Sequence, residues 1–305
     1  MTAVFFDHDG GIDDFISLLL LSTYPDIRLL GLTVIEADTY IEAAIPASRK
    51  ILDLAGRSEV GVATSTLGGR NPFPHDFRVD AHRVNDMPVL NRRPEAELVT
   101  PLIRESGQAF LASSILECAD PVTLLMTGPL TDLAWALQNN PRIEDRIMEL
   151  VVMGGAINVP GNVDQPGHDG SAEWNIYWDP QAAAEVWASA IPITLFSLDA
   201  TNQVPIPTWF RRAFGLQYNH LLSAAAGSLW ALTSAYPDYY CWDTLATSYL
   251  AEPQICDFAE VRSEIITDGP SQGRSVPSRS GRTVKMATQV DRQRFYRHCL
   301  DSLAR

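Results

Sequence analysis

Short apolar runs recur at residues 3–6, 27–34, 60–63, 122–126, 150–153 and 191–197, and helix-period stretches such as 40–54, 130–139 and 180–188 follow most of them. Alternation of this kind implies an α/β chain with a mostly parallel sheet and helices on both faces, because parallel neighbours need a crossover long enough to hold a helix. The runs close in Asp7 and Asp9, in Glu36 and Asp38, in Thr127-Gly128-Pro129 and in Met153-Gly154-Gly155. Open parallel sheets bind ligands outside the C-terminal ends of their strands, so these closures are expected to converge on one crevice.

The first closure is the most heavily charged. Asp7, Asp9, Asp13 and Asp14 fall within Asp7-His8-Asp9-Gly10-Gly11-Ile12-Asp13-Asp14, between the run 3–6 and an apolar helical stretch 15–21. The glycine pair reads as a tight turn. So many acids exceed any capping need and repel one another unless a cation sits among them. Hard cations such as Ca²⁺ and Mg²⁺ take oxygen ligands of this type. Further ligands must come from other strand ends, and Asp243, after Tyr239-Tyr240-Cys241-Trp242, is the distant candidate; its alternative reading is a helix N-cap. A metal with open positions lowers the pKa of bound water, and a neighbouring carboxylate can take the proton, which is hydrolytic machinery.

The remaining polar candidates lie in loops. Glu173 and Asn175 stand two apart and are expected to project to one face of an extended segment, where with Asn162 they suit the hydroxyls of a polyol or sugar. Asp179-Pro180 reads as N-cap and first residue of a helix. The stretch 64–105 is poorly periodic and long for a connection, which suggests a lid. Its residues Phe73 and Phe77 either pin the loop or face a ligand. Segment 271–282, polar and basic, is expected to be a solvated hairpin loop or mobile tip. Among the nearby aromatics, stacking on a flat ligand is assigned to Trp242 and Phe77, and packing to Trp174, Tyr177, Trp178, Tyr239 and Tyr240. The histidines show no metal-ligand spacing.

Composition narrows the function class. At 305 residues with 46% hydrophobic content the chain can bury a large core, and one domain over 1–305 is expected. A net charge of −14 argues against a phosphate-tracking nucleic-acid binder. Cys118, Cys241, Cys256 and Cys299 have no CxxC spacing and read as reduced core thiols. No apolar run reaches the ~18 residues of a membrane span, and no leader pattern precedes the first strand, so a cytoplasmic location is expected.

The turn at residues 7–14 resembles the DxDxGxDD signature of the nucleoside hydrolases. The likeness continues through Thr127-Gly128-Pro129-Leu130, Met153-Gly154-Gly155, Gly161-Asn162, Ala172-Glu173-Trp174-Asn175 and Trp242-Asp243. Within that family the chain is most similar to the purine-specific, inosine-adenosine-guanosine-preferring branch, through DHDG at 7–10, NPFP at 71–74, DMPVLN at 86–91, AEWNIYWDP at 172–180 and YYCWD at 239–243. The resemblance implies the Rossmann-like nucleoside hydrolase fold, a homodimer or homotetramer, and hydrolysis of the N-glycosidic bond of a purine ribonucleoside. It gives Asp9, Asp14, the Thr127 carbonyl and Asp243 to a Ca²⁺ ion, with Asp9 also activating water and Asp7 in support. It gives Asp13 to the ribose 2′-hydroxyl, Asn162, Glu173 and Asn175 to the other ribose hydroxyls, and Asp38 to a place near sugar and base. Trp242 and Phe77 would stack on opposite faces of the purine, raising N7 basicity so that the base leaves protonated.

Two departures from the branch bear on breadth of base preference. Phe77 stands where the branch can carry a tryptophan, and Gly11 where it can carry Asn. Three rival readings remain: a broader nucleoside hydrolase that includes pyrimidine nucleosides, a non-catalytic Ca²⁺-dependent ribonucleoside binder, and a haloacid-dehalogenase-like phosphatase. In the last, Asp7 of Asp7-His8-Asp9-Gly10 would be the nucleophile and Asp9 the acid.

Overall fold

The computed structural model describes residues 1–305. Strand β1 (Thr2–His8) is buried on both faces: Val4 and Phe6 enter the core on one side of the sheet, Ala3 and Phe5 the core on the other. Two-sided burial is why this strand reads as a continuous apolar run rather than an alternation. The chain leaves β1 through Asp9-Gly10-Gly11 and enters helix α1 (Ile12–Thr23). Gly10 has φ +79°, and a Cβ there would stand 2.8 Å from the Thr39 side chain, so both conformation and space require glycine.

The elements then follow as β2 (Ile27–Val34), α2 (Ile41–Leu54), β3 (Gly61–Thr64), α3 (His75–Arg78), α4 (Asp80–Asn85), α5 (Gly107–Glu117), β4 (Val122–Met126), α6 (Thr131–Asn139), β5 (Ile147–Met153), α7 (Trp174–Trp178), α8 (Pro180–Ala188) and β6 (Ile193–Phe196). The C-terminal third contributes α9 (Leu198–Thr201), α10 (Thr208–Ala213), α11 (Leu221–Leu232), α12 (Trp242–Tyr249), β7 (Cys256–Ile265), β8 (Ser275–Pro277), β9 (Arg282–Val290) and α13 (Arg292–Leu303).

The nine strands form one sheet in the order β3-β2-β1-β4-β5-β6-β9-β7-β8. Strands β1 to β6 are mutually parallel, β9 joins β6 in the same sense, and β7 runs antiparallel to both β9 and β8. Strand order reverses between β1 and β4, so the connections leaving those two neighbours diverge to opposite faces and open a crevice at their C-terminal ends. Helix α1 packs with α2, α11, α12 and α13 on one face, while α5, α6 and α8 pack together on the other.

The runs 27–34 and 122–126 are strands over those residues, and α8 starts as expected, with the Asp179 carboxylate accepting from the Ala182 N–H at 3.2 Å and Pro180 at the first position. Three expectations are corrected. Segment 271–282 is not merely a solvated loop, since it contains β8 and pairs with β7. Stretch 64–105 holds α3, α4 and a 3₁₀ turn at Glu95–Glu97. Glu173 and Asn175 lie not on an extended segment but at the cap and second position of α7. All four cysteines are free and buried. No helix is long and apolar enough to cross a membrane.

Candidate active site

The crevice at the strand-order reversal contains a pocket of about 320 Å³. Asp9, Asp13, Thr127, Glu173, Asn175 and Asp243 form its buried floor, and Phe73, Phe77, Trp174, Tyr236, Tyr239, Tyr240 and Trp242 rise toward the mouth. No Lys, Arg or His lines it. The β4–α6 turn passes directly over the acidic turn: a Cβ on Gly128 would stand 3.0 Å from both the backbone nitrogen and the Cβ of Asp9.

The floor is a net of carboxylates and the donors that hold them. Asp14 lies just behind the pocket surface and accepts from the Gly11 N–H at 2.8 Å and the Thr127 hydroxyl at 2.5 Å. Asp13 accepts from the Tyr239 hydroxyl at 3.0 Å and from the Asp243 N–H at 3.1 Å. Asp243 is therefore not an N-cap. It is the second residue of α12, and no side chain caps that helix. Asp9 accepts from the Asp38 N–H at 3.3 Å, and one buried oxygen of Asp38, itself a lining residue, has no partner.

Burial raises every one of these acids. The Asp9 carboxyl is pushed well above the usual range by burial, then by Asp14 and Asp38. Asp14 rises to about 7 through burial and the Asp13 charge. Asp243 is raised by burial and then by Asp13, Asp14 and Asp9, and Asp38 by burial and then by Asp14, Asp13 and Asp80. Asp13 is raised by burial, an effect opposed by its bonds from Asp243 and Tyr239. The ring nearest to Asp14, His8, is fully buried, stacks on Phe6 at 4.8 Å and is held neutral, its pKa lowered by burial to about 3.

The floor thus gathers five buried carboxylates without an adjacent basic group of their own. No three His, Cys, Asp or Glu side chains point to a common centre at ligating distance; the acids rest against one another and against N–H and O–H donors. A crowded all-oxygen donor set with no cationic side chain lining it nonetheless suits a hard divalent cation.

The residues expected to meet a sugar also hold one another. Glu173 accepts from the backbone N–H groups of Gly155 at 2.9 Å, Asn175 at 3.0 Å and Ile176 at 3.3 Å, and so caps α7. Burial raises its carboxyl against those bonds. Asn175 donates to the Thr127 carbonyl at 2.8 Å and to the Met153 carbonyl at 3.2 Å, bridging the ends of β4 and β5. The Asn162 amide oxygen accepts from the Trp174 N–H at 3.2 Å. At the mouth, Phe73 packs on Trp174 with centroids 4.9 Å apart and pins the loop, whereas Phe77 meets the same indole edge-on at 6.2 Å and stays 37% exposed. Trp242 packs against Tyr239 at 4.8 Å.

Asp7 does not line the pocket. One oxygen accepts from the Thr33 hydroxyl and the other is buried without a hydrogen-bond partner; burial, then the neighbouring Asp132, raises the Asp7 carboxyl, and burial raises Asp132 to about 6. An acid so enclosed is no phosphatase nucleophile, which removes that rival. Sequence reasoning missed Asp132, the Tyr239 hydroxyl and an Asp80–Tyr236 pair at the mouth. Tyr239 had a signal in its place three residues before Trp242, while nothing local marks the others.

A family model described as "Inosine-uridine preferring nucleoside hydrolase" matches residues 4–297. The pyrimidine-specific ribonucleoside hydrolase RihA of Shewanella oneidensis is 34% identical over 208 residues, covering 67% of this chain and 61% of that protein. The probable uridine nucleosidase 2 of Arabidopsis thaliana is 30% identical over 202 residues, covering 66% and 60%. The matched stretch thus spans about six tenths of these curated relatives. A solved inosine-uridine preferring nucleoside hydrolase from Bacillus anthracis superposes with a TM-score of 0.95 at 39% identity, covering 100% of this chain and 99% of that one. A purine-preferring ribonucleoside hydrolase from Gardnerella vaginalis shares the fold, with a TM-score of 0.82 at 22% identity over 99% and 98% of the two chains.

Proposed function

The chain belongs to the inosine-uridine preferring nucleoside hydrolase family, and on that premise we propose that it cleaves the N-glycosidic bond of purine ribonucleosides with water, in a Ca²⁺-dependent reaction. The observation that carries the reading is the two-ended pocket, with clustered buried carboxylates at the floor and a rim of aromatics in tilted and edge-on contact at the mouth. Asp9, Asp14, Asp243 and the Thr127 carbonyl would hold the cation, which supplies Lewis acidity toward oxygen ligands when bound.

The protein's own groups then divide the work. Asp9 takes the proton of the attacking water as it approaches C1′, a task open to a carboxylate that lines the pocket floor. Asp13 accepts from the 2′-hydroxyl, and Asn162, Glu173 and Asn175 orient the remaining ribose hydroxyls. Their backbone-anchored positions keep the sugar in register with Asp9. The carboxylate field favours the positive charge that develops on an oxocarbenium-like ring. Trp242 and Phe77 stack on the base.

Purine preference follows from what the mouth lacks. With no Lys, Arg or His lining the pocket, a leaving base gains most if it can accept a proton from solvent, as a purine does at N7. A broader reading that includes pyrimidine nucleosides is favoured by the names of the curated relatives, a uridine nucleosidase and a pyrimidine-specific hydrolase. Release of free ribose from inosine, adenosine, guanosine, uridine and cytidine, measured with Ca²⁺ present, separates the two. Purine substrates are expected to exceed pyrimidines by about tenfold or more in kcat/KM, a stacking-sized difference. Equal turnover of uridine overturns the preference, and no ribose from any substrate overturns hydrolysis.

A further inference from the structure

We propose that Asp80, clamped between Tyr236 and Arg83 at the pocket mouth, selects the nucleobase, accepting hydrogen bonds from an outer edge rich in N–H donors, as in guanine, and disfavouring adenine, whose edge carries an unprotonated ring nitrogen. This deepens the nucleoside-hydrolase reading above and rests on it.

Asp80 opens α4 and is only 5% exposed, yet it lines the pocket together with Tyr236. One carboxylate oxygen accepts from the Tyr236 hydroxyl at 2.6 Å, and the other is ion-paired to Arg83, which does not line the pocket. Arg83 therefore holds the carboxylate from outside the pocket and Tyr236 from its wall, and each oxygen keeps a second lone pair. A row of rings links it to the stacking surface: Tyr236 lies 5.7 Å from Tyr239, and Tyr239 lies 4.8 Å from Trp242. A purine lying on Trp242 with its ribose over the acidic floor extends its far edge along that row. Asp80 makes no hydrogen bond to the groups assigned to the ribose hydroxyls or the cation, so base choice is its separable task. A fixed acceptor discriminates strongly, since a base presenting a lone pair there leaves two acceptors facing each other without a proton.

The test compares kcat/KM for guanosine, adenosine and 1-methylguanosine in the intact protein, in Asp80→Asn and in Tyr236→Phe. The wild-type chain is expected to prefer guanosine over both others by about tenfold, the cost of one unmet buried hydrogen bond. Asp80→Asn, whose amide can turn either edge to the base, should lose most of that preference by lowering guanosine while adenosine changes less than about threefold. Tyr236→Phe keeps the carboxylate and should keep the order of preference. Wild-type turnover that favours adenosine, full acceptance of the N1-methyl group, or a parallel fall of all substrates in Asp80→Asn overturns the assignment. So does a Tyr236→Phe variant that flattens the preference as far as Asp80→Asn, because the tie between the two walls would then be the determinant. The 1-methylguanosine comparison needs no variant to fold. Should no nucleoside be cleaved at all, the hydrolase reading fails separately, and equilibrium binding of the same three nucleosides, followed by tryptophan fluorescence, still decides the Asp80 assignment.

Discussion

The floor and the mouth of the pocket are built on opposite principles. Every floor residue sits at a strand end or the first turn of a helix, and main-chain groups anchor several of them, as three N–H groups anchor Glu173 and two carbonyls anchor Asn175. The mouth is assembled from aromatics on irregular segments and short helices, joined by edge contacts and single bonds such as Tyr236 to Asp80. A floor of this kind can hold the spacing that bond cleavage demands, while a mouth of the other kind can exchange one ring for another and change which base it admits.

The largest expected effects are at the floor. Asp9→Ala should lower kcat for ribose release by about 10³-fold or more, the scale of a lost general base, without lowering the melting temperature, since one of several mutually repelling acids is removed. Exhaustive chelation should reduce turnover by a comparable factor, with Ca²⁺ restoring it. A residual rate near wild type in either experiment would break the division between the two ends. At the mouth, Trp242→Ala should cost purine kcat/KM about 10- to 100-fold and Phe77→Ala only a few-fold, the latter side chain being more exposed. If Phe77→Ala proved as damaging as Asp9→Ala, the floor would not be the privileged end.

The smallest effect concerns stability against pH. Asp14 keeps its proton to about pH 7 in the folded chain, whereas its ordinary pKa is 3.8. Between those values the folded state binds more protons than the unfolded one, so stability is fullest below the lower value and is lost as pH rises through the upper. Chelated protein should therefore melt lower at pH 8 than at pH 5, by a shift on the order of a few degrees. Excess Ca²⁺ should shrink the slope. A flat profile in the chelated protein would show that the acids are compensated by something other than a cation.

The same contrast decides what could be read in advance. Strands β2 and β4 and helix α8 follow from local apolar pattern and capping chemistry, and the acid turn after β1 stands out because four carboxylates exceed any structural use. β7 and β9 escaped because they form the antiparallel side of the sheet, where solvent-facing polar residues interrupt the apolar run. The polar pair Glu173 and Asn175 stands out in the sequence, but their helix does not, because α7 is a single short turn whose cap is Glu173 itself. Asp80 and Tyr236 are 156 positions apart and resemble any surface acid and any packing tyrosine; only the fold that joins α4 to the segment before α12 makes them a pair.

Gly128 carries one further consequence. A methyl group there would press on Asp9 at 3.0 Å, so the close approach of the β4–α6 turn to the acidic turn depends on a residue that contributes no side chain at all. The spacing between these two turns is thus tuned by a missing carbon as much as by the polar atoms around it. Exchanging one acid for another on the floor leaves that approach unaltered, whereas a single methyl at 128 obliges Asp9 or the turn to give way by a few tenths of an ångström.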